Sequence, residues 1–425
     1  MIPRTRFDLG WRDLLFGYRQ IFTSGDRLAL QREVERYWSP DDEWLACLSL
    51  RSGFDVTLAA YDFPPGSEVL MSCMNIGPMA EIVEDNGLTP VPIDLDMDTL
   101  SMRRDLLEKA ITPKTVAIVH AHVLGARQQL DELRELCDKH GLILFEDCAQ
   151  CYRADEWRGD PRSDVTMFSF GPLKTCSATM GGIVRYRDQE IHRKARAIQS
   201  QLPVQRRSEF YVRMVLFSEL LFITQNLPYT IAINTARRLG LEEFVNTPVR
   251  NFNGPRDYQG RKLRKQPSYP LLAMMLHRWK TFDPVKVQQR LDAADAVLST
   301  IPNLSRPGRA AEDHGYWLFP ICTDDPVALR RELHRKGFDS TLGHKTFVVL
   351  EPPAGYQAFE AAAAKATKEK ALYLPIHFRA PKKELVRLAE VIRDFDPKCA
   401  GVHESDEAMD RQAQRTNSEQ HALVS

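Results

Sequence analysis

Between Asp41 and about Arg185 the chain alternates short apolar runs with longer stretches of helical period. Seven apolar runs read as strands: Trp44–Leu50, Glu68–Met71, Thr89–Ile93, Thr115–His120, Leu142–Phe145, Val165–Phe170 and Gly182–Tyr186. Between them lie helical patterns such as Gly77–Asn86, Arg103–Ala110 and Gln129–His140. Strands alternating with helices predict an α/β fold, a mostly parallel sheet covered on both faces. Ligands of such sheets bind at the carboxyl ends of the strands, so chemistry is expected there.

The pattern changes on either side of this region. Residues 1–40 form an N-terminal arm with a helical charge pattern in Asp26–Tyr37. Residues 187–265 hold a basic stretch, the apolar run Met214–Ile233 and a loop-like segment, Asn246–Gln266. Helices are predicted over Pro270–Lys280 and Val285–Leu298. A strand–helix–strand rhythm follows in Tyr316–Cys322, Ala328–Lys336 and Phe338–Leu342, closed by Leu372–Pro375 and Lys382–Asp394. The expected layout is the arm (1–40), a large domain (41–265) with an atypical apolar insertion at about 205–265, and a smaller C-terminal α/β domain (266–397). The polar residues 398–425 read as a disordered tail.

Composition narrows the function classes. Of 425 residues, 43% are hydrophobic, enough for a substantial core. Lys+Arg and Asp+Glu both number 57, so the basic footprint of a nucleic-acid binder is missing. The N-terminus MIPRTRFDLGWRDLL lacks the apolar core of a signal peptide, which predicts a cytoplasmic protein. Cys148 and Cys151 read as C-x-x-C, but a zinc or redox reading needs a second ligand pair or a thioredoxin-like context. The sequence offers neither. His120, His122 and His140 have no ligand partner at usable spacing, so no metal site is expected and the eight cysteines read as free thiols.

Three short segments carry chemistry because each follows a strand signal. In Phe145-Glu146-Asp147-Cys148-Ala149-Gln150, an acid emerging at a strand end can hold a protonated heterocyclic nitrogen. In Phe168-Ser169-Phe170-Gly171-Pro172-Leu173-Lys174, a lysine just past a strand can be desolvated, which lowers its pKa and favours imine formation. In Leu50-Arg51-Ser52-Gly53, opening a helix Asp55–Tyr61, a small-residue turn offers N–H groups and a dipole end to a phosphate. Each signal alone is common in structural roles. In this order on this fold they imply three handles on one cofactor: phosphate, ring nitrogen and aldehyde carbon.

The stretch from about Trp44 to Tyr186 resembles the DegT/DnrJ/EryC1/StrS family of pyridoxal-phosphate aminotransferases. The resemblance lies in PGSEVLMSCMNIGPMAEIVEDNGLTPVPIDLDMDTLSM, ITPKTVAIVHAHVLGARQQLDELRELCDKHGLILFEDCAQ and FSFGPLKTCSATMGGIV, with LYLPIHFRAPKKELVRLAEVI as a looser C-terminal match. It implies a fold-type-I transferase with pyridoxal 5'-phosphate held as a Schiff base by Lys174. Asp147 would pair with the pyridinium nitrogen and Gln150 would lie beside the cofactor. Ser169, the Ser52 hydroxyl and the backbone N–H groups of Gly53 and Phe54 would hold the phosphate. The resemblance further implies a homodimer and transfer of an amino group from an amino acid, such as glutamate, to a keto sugar, with nucleotide-linked sugars the family analogy.

Departures from the family pattern are visible. Phe54 replaces a threonine at the phosphate turn, and Met74-Asn75-Ile76 stand where the family carries an aromatic over the cofactor ring. Lys265-Gln266-Pro267-Ser268-Tyr269-Pro270-Leu271 corresponds to the segment the family contributes across the dimer, with its polar content largely lost. Met214–Ile233 reads first as a packing segment and second as a membrane-surface contact, since Arg206, Arg207, Arg213, Arg237 and Arg238 flank it. Two rival functions follow: a transaminase of a lipid-linked or other bulky keto compound, and a cofactor-binding regulator without turnover. Retention of Lys174, Asp147 and Gln150 together speaks against the second.

Overall fold

The computed structural model describes residues 1–239, 262–343 and 347–401. The strands in chain order are β1 (Trp44–Cys47), β2 (Glu68–Ser72), β3 (Met74–Ile76), β4 (Thr89–Ile93), β5 (Thr115–Ala121), β6 (Ala126–Arg127), β7 (Ile143–Asp147), β8 (Val165–Ser169), β9 (Gly182–Tyr186), β10 (Asp313–His314), β11 (Pro320–Cys322), β12 (Phe347–Val349) and β13 (Ala371–Tyr373). Seven of them build one sheet in the order β1-β9-β8-β7-β5-β2-β4. Its inner pairs are parallel, and β9 runs antiparallel to both β8 and β1. The mixed, mostly parallel seven-stranded sheet is the one the apolar runs predict.

Strand alternation sends neighbouring residues to opposite faces. Trp44 and Ala46 of β1, Phe168 of β8 and Ile183 of β9 pack into one core; Leu45, Cys47, Met167 and Val184 pack into another. The first core is centred on Trp38, whose ring meets Trp44, Tyr152, Phe168, Phe170 and Trp279 at 4.9–5.8 Å between centroids. Helices Trp11–Phe22, Arg27–Trp38, Arg207–Ile223 and Tyr269–Thr281 all contribute to it. A further core, away from the sheet, holds Ala294, Val297, Ile321, Leu333, Leu372 and Leu388, where helices Val285–Thr300, Pro326–Arg335 and Lys382–Phe395 pack around the β11–β13 pair.

Several expected elements differ. The helix expected over Asp55–Tyr61 begins at Leu50, because Ser49 caps it: its hydroxyl accepts from the Ser52 amide at 3.2 Å. The strand expected over Tyr316–Cys322 is shortened to Pro320–Cys322. Tyr316 sits at φ 45°, outside the extended region, and Asp313–His314 pairs with β6 instead. Phe338–Leu342 forms no ladder and makes only isolated pairings, Phe338 with Ile2 and Thr341 with Tyr373. Met214–Ile233 spans two helices, Arg207–Ile223 and Asn226–Arg238, and no helix among the described residues is long and apolar enough to cross a membrane. Gln266 and Ser268 are buried within their own chain; Gln266 accepts from Arg27 at 2.6 Å and Ser268 donates to Gln205 at 2.7 Å. The expected tail beyond Gly401 and most of Asn246–Gln266 lie outside the described residues.

Candidate active site

Strands β5, β7 and β8 lie side by side, so their carboxyl ends bring Ala121, Asp147 and Ser169 to one rim of the sheet. Asp147 is buried, and its Oδ1 accepts the Ala149 amide at 2.9 Å. Burial raises its pKa, while the Ala149 amide and the charges of Lys174 and His122 pull it back down. Gln150, one turn on, accepts the Leu124 amide through Oε1 at 2.9 Å, which leaves its amide nitrogen for a ligand. Beyond β8 the chain turns at Gly171, and the Lys174 amide closes that turn on the Gly171 carbonyl at 3.2 Å. A Cβ at Gly171 would stand 3.6 Å from Ser169 Oγ and 4.0 Å from Lys174 Cγ, so the turn places hydroxyl and lysine together.

Lys174 is desolvated, and burial pushes its pKa down to about 8 against the attraction of Asp147. Its Nζ lies 3.9 Å from the centroid of the Trp317 ring, and Trp317 Nε1 donates to the Leu173 carbonyl at 2.7 Å. No hydrogen bond or ion pair to a described residue holds Nζ. The indole is fixed from below: the Trp317 amide donates to Leu124 at 3.1 Å, and a Cβ at Gly125 would meet the Trp317 nitrogen at 2.8 Å. Gln150, Leu124, Trp317 and Lys174 thus form one continuous chain of contacts.

The helix Leu50–Tyr61 points its start, with Ser52, Gly53 and Phe54, at the same rim. The Ser52 hydroxyl donates to the Ser49 carbonyl at 2.8 Å, and the Gly53 amide makes the helical bond to Ser49 at 3.1 Å. Phe54 is fully buried, its ring edge-on to Phe145 at 5.8 Å. Gly53 answers a packing need: a Cβ there would come within 2.5 Å of Val184 Cγ2. Two arginines that were not among the expected phosphate ligands add positive charge near this rim. The charge of Arg51 lowers the pKa of both Lys174 and Arg213. Burial, with that repulsion, brings Arg213 down to about 9, and its Nε donates to the Thr179 carbonyl at 2.7 Å. Clustered, desolvated cations at a helix start are arranged for an anion.

These residues fit pyridoxal phosphate by the chemistry of the donor set. A buried carboxylate suits a protonated ring nitrogen, a desolvated amine suits an aldehyde, and an arginine pair suits a phosphate. The buried Asn75 Nδ2, on β3 at the stretch where the family carries an aromatic, has no hydrogen-bond partner among the described residues. On the far side of Lys174 a cavity is lined by Arg6, Asp8, Lys286, Arg290 and Phe378. Arg290 donates to Thr175 Oγ1 at 3.2 Å and to the Gly315 carbonyl at 2.9 Å; burial lowers its pKa to about 10. The arm therefore reaches the site through residues 5–8, which composition gave no reason to expect.

The fold is that of the fold-type-I pyridoxal-phosphate-dependent aminotransferases. More particularly, residues 19–221 match the model of the DegT/DnrJ/EryC1/StrS aminotransferase family. Solved structures agree on the fold over nearly the whole chain. The aminotransferase TlmJ from Streptoalloteichus hindustanus is similar at TM-score 0.65 and 20% identity, covering 93% of this chain and 98% of that one. Helicobacter pylori PseC, an aminotransferase involved in the biosynthesis of pseudoaminic acid, is similar at TM-score 0.65 and 17% identity, covering 94% and 99%. NtdA from Bacillus subtilis, solved with bound cofactor PMP, is similar at TM-score 0.65 and 19% identity, covering 92% and 86%.

Proposed function

We propose that this aminotransferase moves an amino group from an amino acid, glutamate being the first candidate, to a keto sugar, with a nucleotide-linked sugar the leading acceptor. The observation that carries the reading is the desolvated Lys174, set between Asp147 and Trp317 and facing a cavity with a surplus of cations. Bound at this rim, pyridoxal phosphate supplies an electron sink that stabilises a carbanion beside nitrogen.

The chain's own residues then divide the work. Lys174 holds the cofactor and, once released, moves a proton at the substrate carbon; a pKa near about 8 leaves its Nζ partly unprotonated at neutral pH. Asp147 keeps the ring nitrogen protonated, and Gln150 orients the ring from the side. Ser169, with Arg51 and Arg213, holds the phosphate. Lys286, Arg290 and Arg6 receive the anionic portion of the substrates, and Trp317 shields Nζ from water.

A homodimer is part of the proposal. Helices Arg207–Ile223 and Asn226–Arg238 bury Phe210, Met214 and Phe217 but leave Val212, Phe222, Leu227 and Ile231 exposed by more than half. Those apolar side chains favour coverage by a second subunit, with a membrane surface as the second reading. Light scattering and co-sedimentation with anionic vesicles separate the two: a dimer that ignores vesicles supports the first.

The test of function is the absorbance of purified protein before and after glutamate. A band near ~420 nm that moves to shorter wavelength on adding glutamate, and is missing in Lys174→Ala, is the expected result. Wild-type protein without any cofactor band, even after incubation with pyridoxal phosphate, would end the proposal.

A further inference from the structure

Behind the rim, on the face of the sheet opposite Asp147, the fold brings together two residue pairs that are separated in sequence. Strand β5 carries His120 and is followed by His122. Strand β7 is followed by Cys148 and Cys151, and the two strands pair in parallel with His120 opposite Glu146 and Ala121 opposite Asp147. The C-x-x-C pair therefore gains, in His122, a ligand that linear spacing did not show. A ligand atom from each of His122, Cys148 and Cys151 lies within 4.8 Å of the other two, and all three residues are at most 1% exposed. His120 is also 1% exposed; its ring stands edge-on to that of His122 at 5.2 Å, and neither of its ring nitrogens has a hydrogen-bond partner among the described residues.

We propose that His120, His122, Cys148 and Cys151 form a buried binding site for one zinc-class divalent cation. Two imidazoles and two thiolates are the donor set of closed tetrahedral zinc sites, and their softness excludes magnesium and calcium. The outer shell is already in place. His122 Nε2 lies 2.9 Å from Glu146 Oε1, and Glu146 is itself held by the Asp160 amide at 2.9 Å and by Thr166 Oγ1 at 3.2 Å. A carboxylate behind a ligating histidine fixes its tautomer and turns the other nitrogen to the metal. Here that nitrogen, Nδ1, accepts the Gln128 amide at 3.1 Å, so cation binding displaces this one bond. On binding, each cysteine gives up its thiol proton to solvent and the cation takes up two sulfur and two nitrogen lone pairs, with no oxidant needed.

The alternative bland reading is a core of histidines and free thiols. It leaves His120 with two buried polar atoms unsatisfied, desolvated with nothing in return. A bound cation removes part of that cost and clamps β5 to β7 directly beneath the turn that carries Asp147 and Gln150. The site is thus a structural one that stiffens the cofactor rim from behind.

The test uses full-length protein purified under reducing conditions, with metal content read by mass spectrometry and then Co(II) titrated into chelator-treated protein. About one zinc per chain, or about one Co(II) giving thiolate charge-transfer absorbance, is expected. Cys151→Ser and His122→Gln should each weaken the metal at least tenfold, and His120→Gln should do so while the circular dichroism and the cofactor band persist. Reduced wild-type protein that holds under about a tenth of an equivalent of any metal and shows no Co(II)–thiolate band overturns the proposal. So does a Cys148–Cys151 disulfide as the stable form under those conditions. Because the decisive reading is on wild-type protein, a variant that fails to fold does not protect the idea.

Discussion

Lys174 Nζ lies over the indole of Trp317, 3.9 Å from the ring centroid, with the indole N–H tied to the Leu173 carbonyl next to that same lysine. The contact favours an ammonium, whereas the burial it helps create disfavours one, and burial wins, since the pKa falls to about 8.

Trp317→Leu should therefore admit water and raise the Lys174 pKa from about 8 back toward its ordinary value. Imine formation needs the neutral amine, so the rate at which cofactor-free protein takes up pyridoxal phosphate should rise through a higher pH in the variant, by about one unit. Stopped-flow absorbance from pH 6 to 10 reads this directly; coincident profiles would mean that the indole does not control the lysine.

If Arg51 and Arg213 hold the phosphate, Arg51→Met and Arg213→Met should each raise the Kd for pyridoxal phosphate by about 10- to 100-fold, the weight of a charge-assisted hydrogen bond. Binding of pyridoxal, which has no phosphate, should change little. Equal losses for both ligands would place the arginines elsewhere in the machinery.

Gly182→Ala should be far more damaging than Gly53→Ala. At Gly182 the new methyl would meet backbone, Leu50 N at 2.4 Å and Ser49 C at 2.6 Å, so the start of the helix must move away from β9. At Gly53 it meets the Val184 and Cys47 side chains, a local overpacking of about 1–3 kcal/mol. Thermal melts of both variants in the cofactor-free state give the ranking, and loss of cofactor binding in Gly182→Ala is the expected companion.

Asp339 anchors the arm. Its buried carboxylate pairs with Arg4 at 2.6 Å and with His334 at 3.2 Å, and the Tyr229 hydroxyl donates to it. Despite burial, these partners hold its pKa well below the usual carboxylate range. A depressed folded pKa means stability that is present above the unfolded value of about 3.9 and is lost as pH falls through and below it. Asp339→Ala should cost about 1.5–3 kcal/mol at neutral pH by removing the carboxylate that the partly buried Arg4, His334 and Tyr229 share, and should flatten the acid limb of the stability profile. Denaturation midpoints at pH 7 and at about pH 2.5 test both.

Much of this architecture is local and was therefore legible in the chain. Apolar runs of strand length between helical periods outlined the sheet, and Asp147 and Ser169 at strand ends, with Lys174 just past one, stand where the strand ends were predictable. Gln150 followed from the family resemblance, as did the roles given to those three. What the chain could not show were contacts set by strand order and by helices returning from a distance. Nothing near Ser52 announces that its hydroxyl is spent on the Ser49 carbonyl, or that Arg213 arrives from a helix far along the chain to share the field of Arg51. The same holds for Trp317 over Lys174, and for His122, just past β5, against the cysteines beyond β7. Periodicity reports which face of an element is buried; only the packed sheet decides which side chains from separate elements meet there.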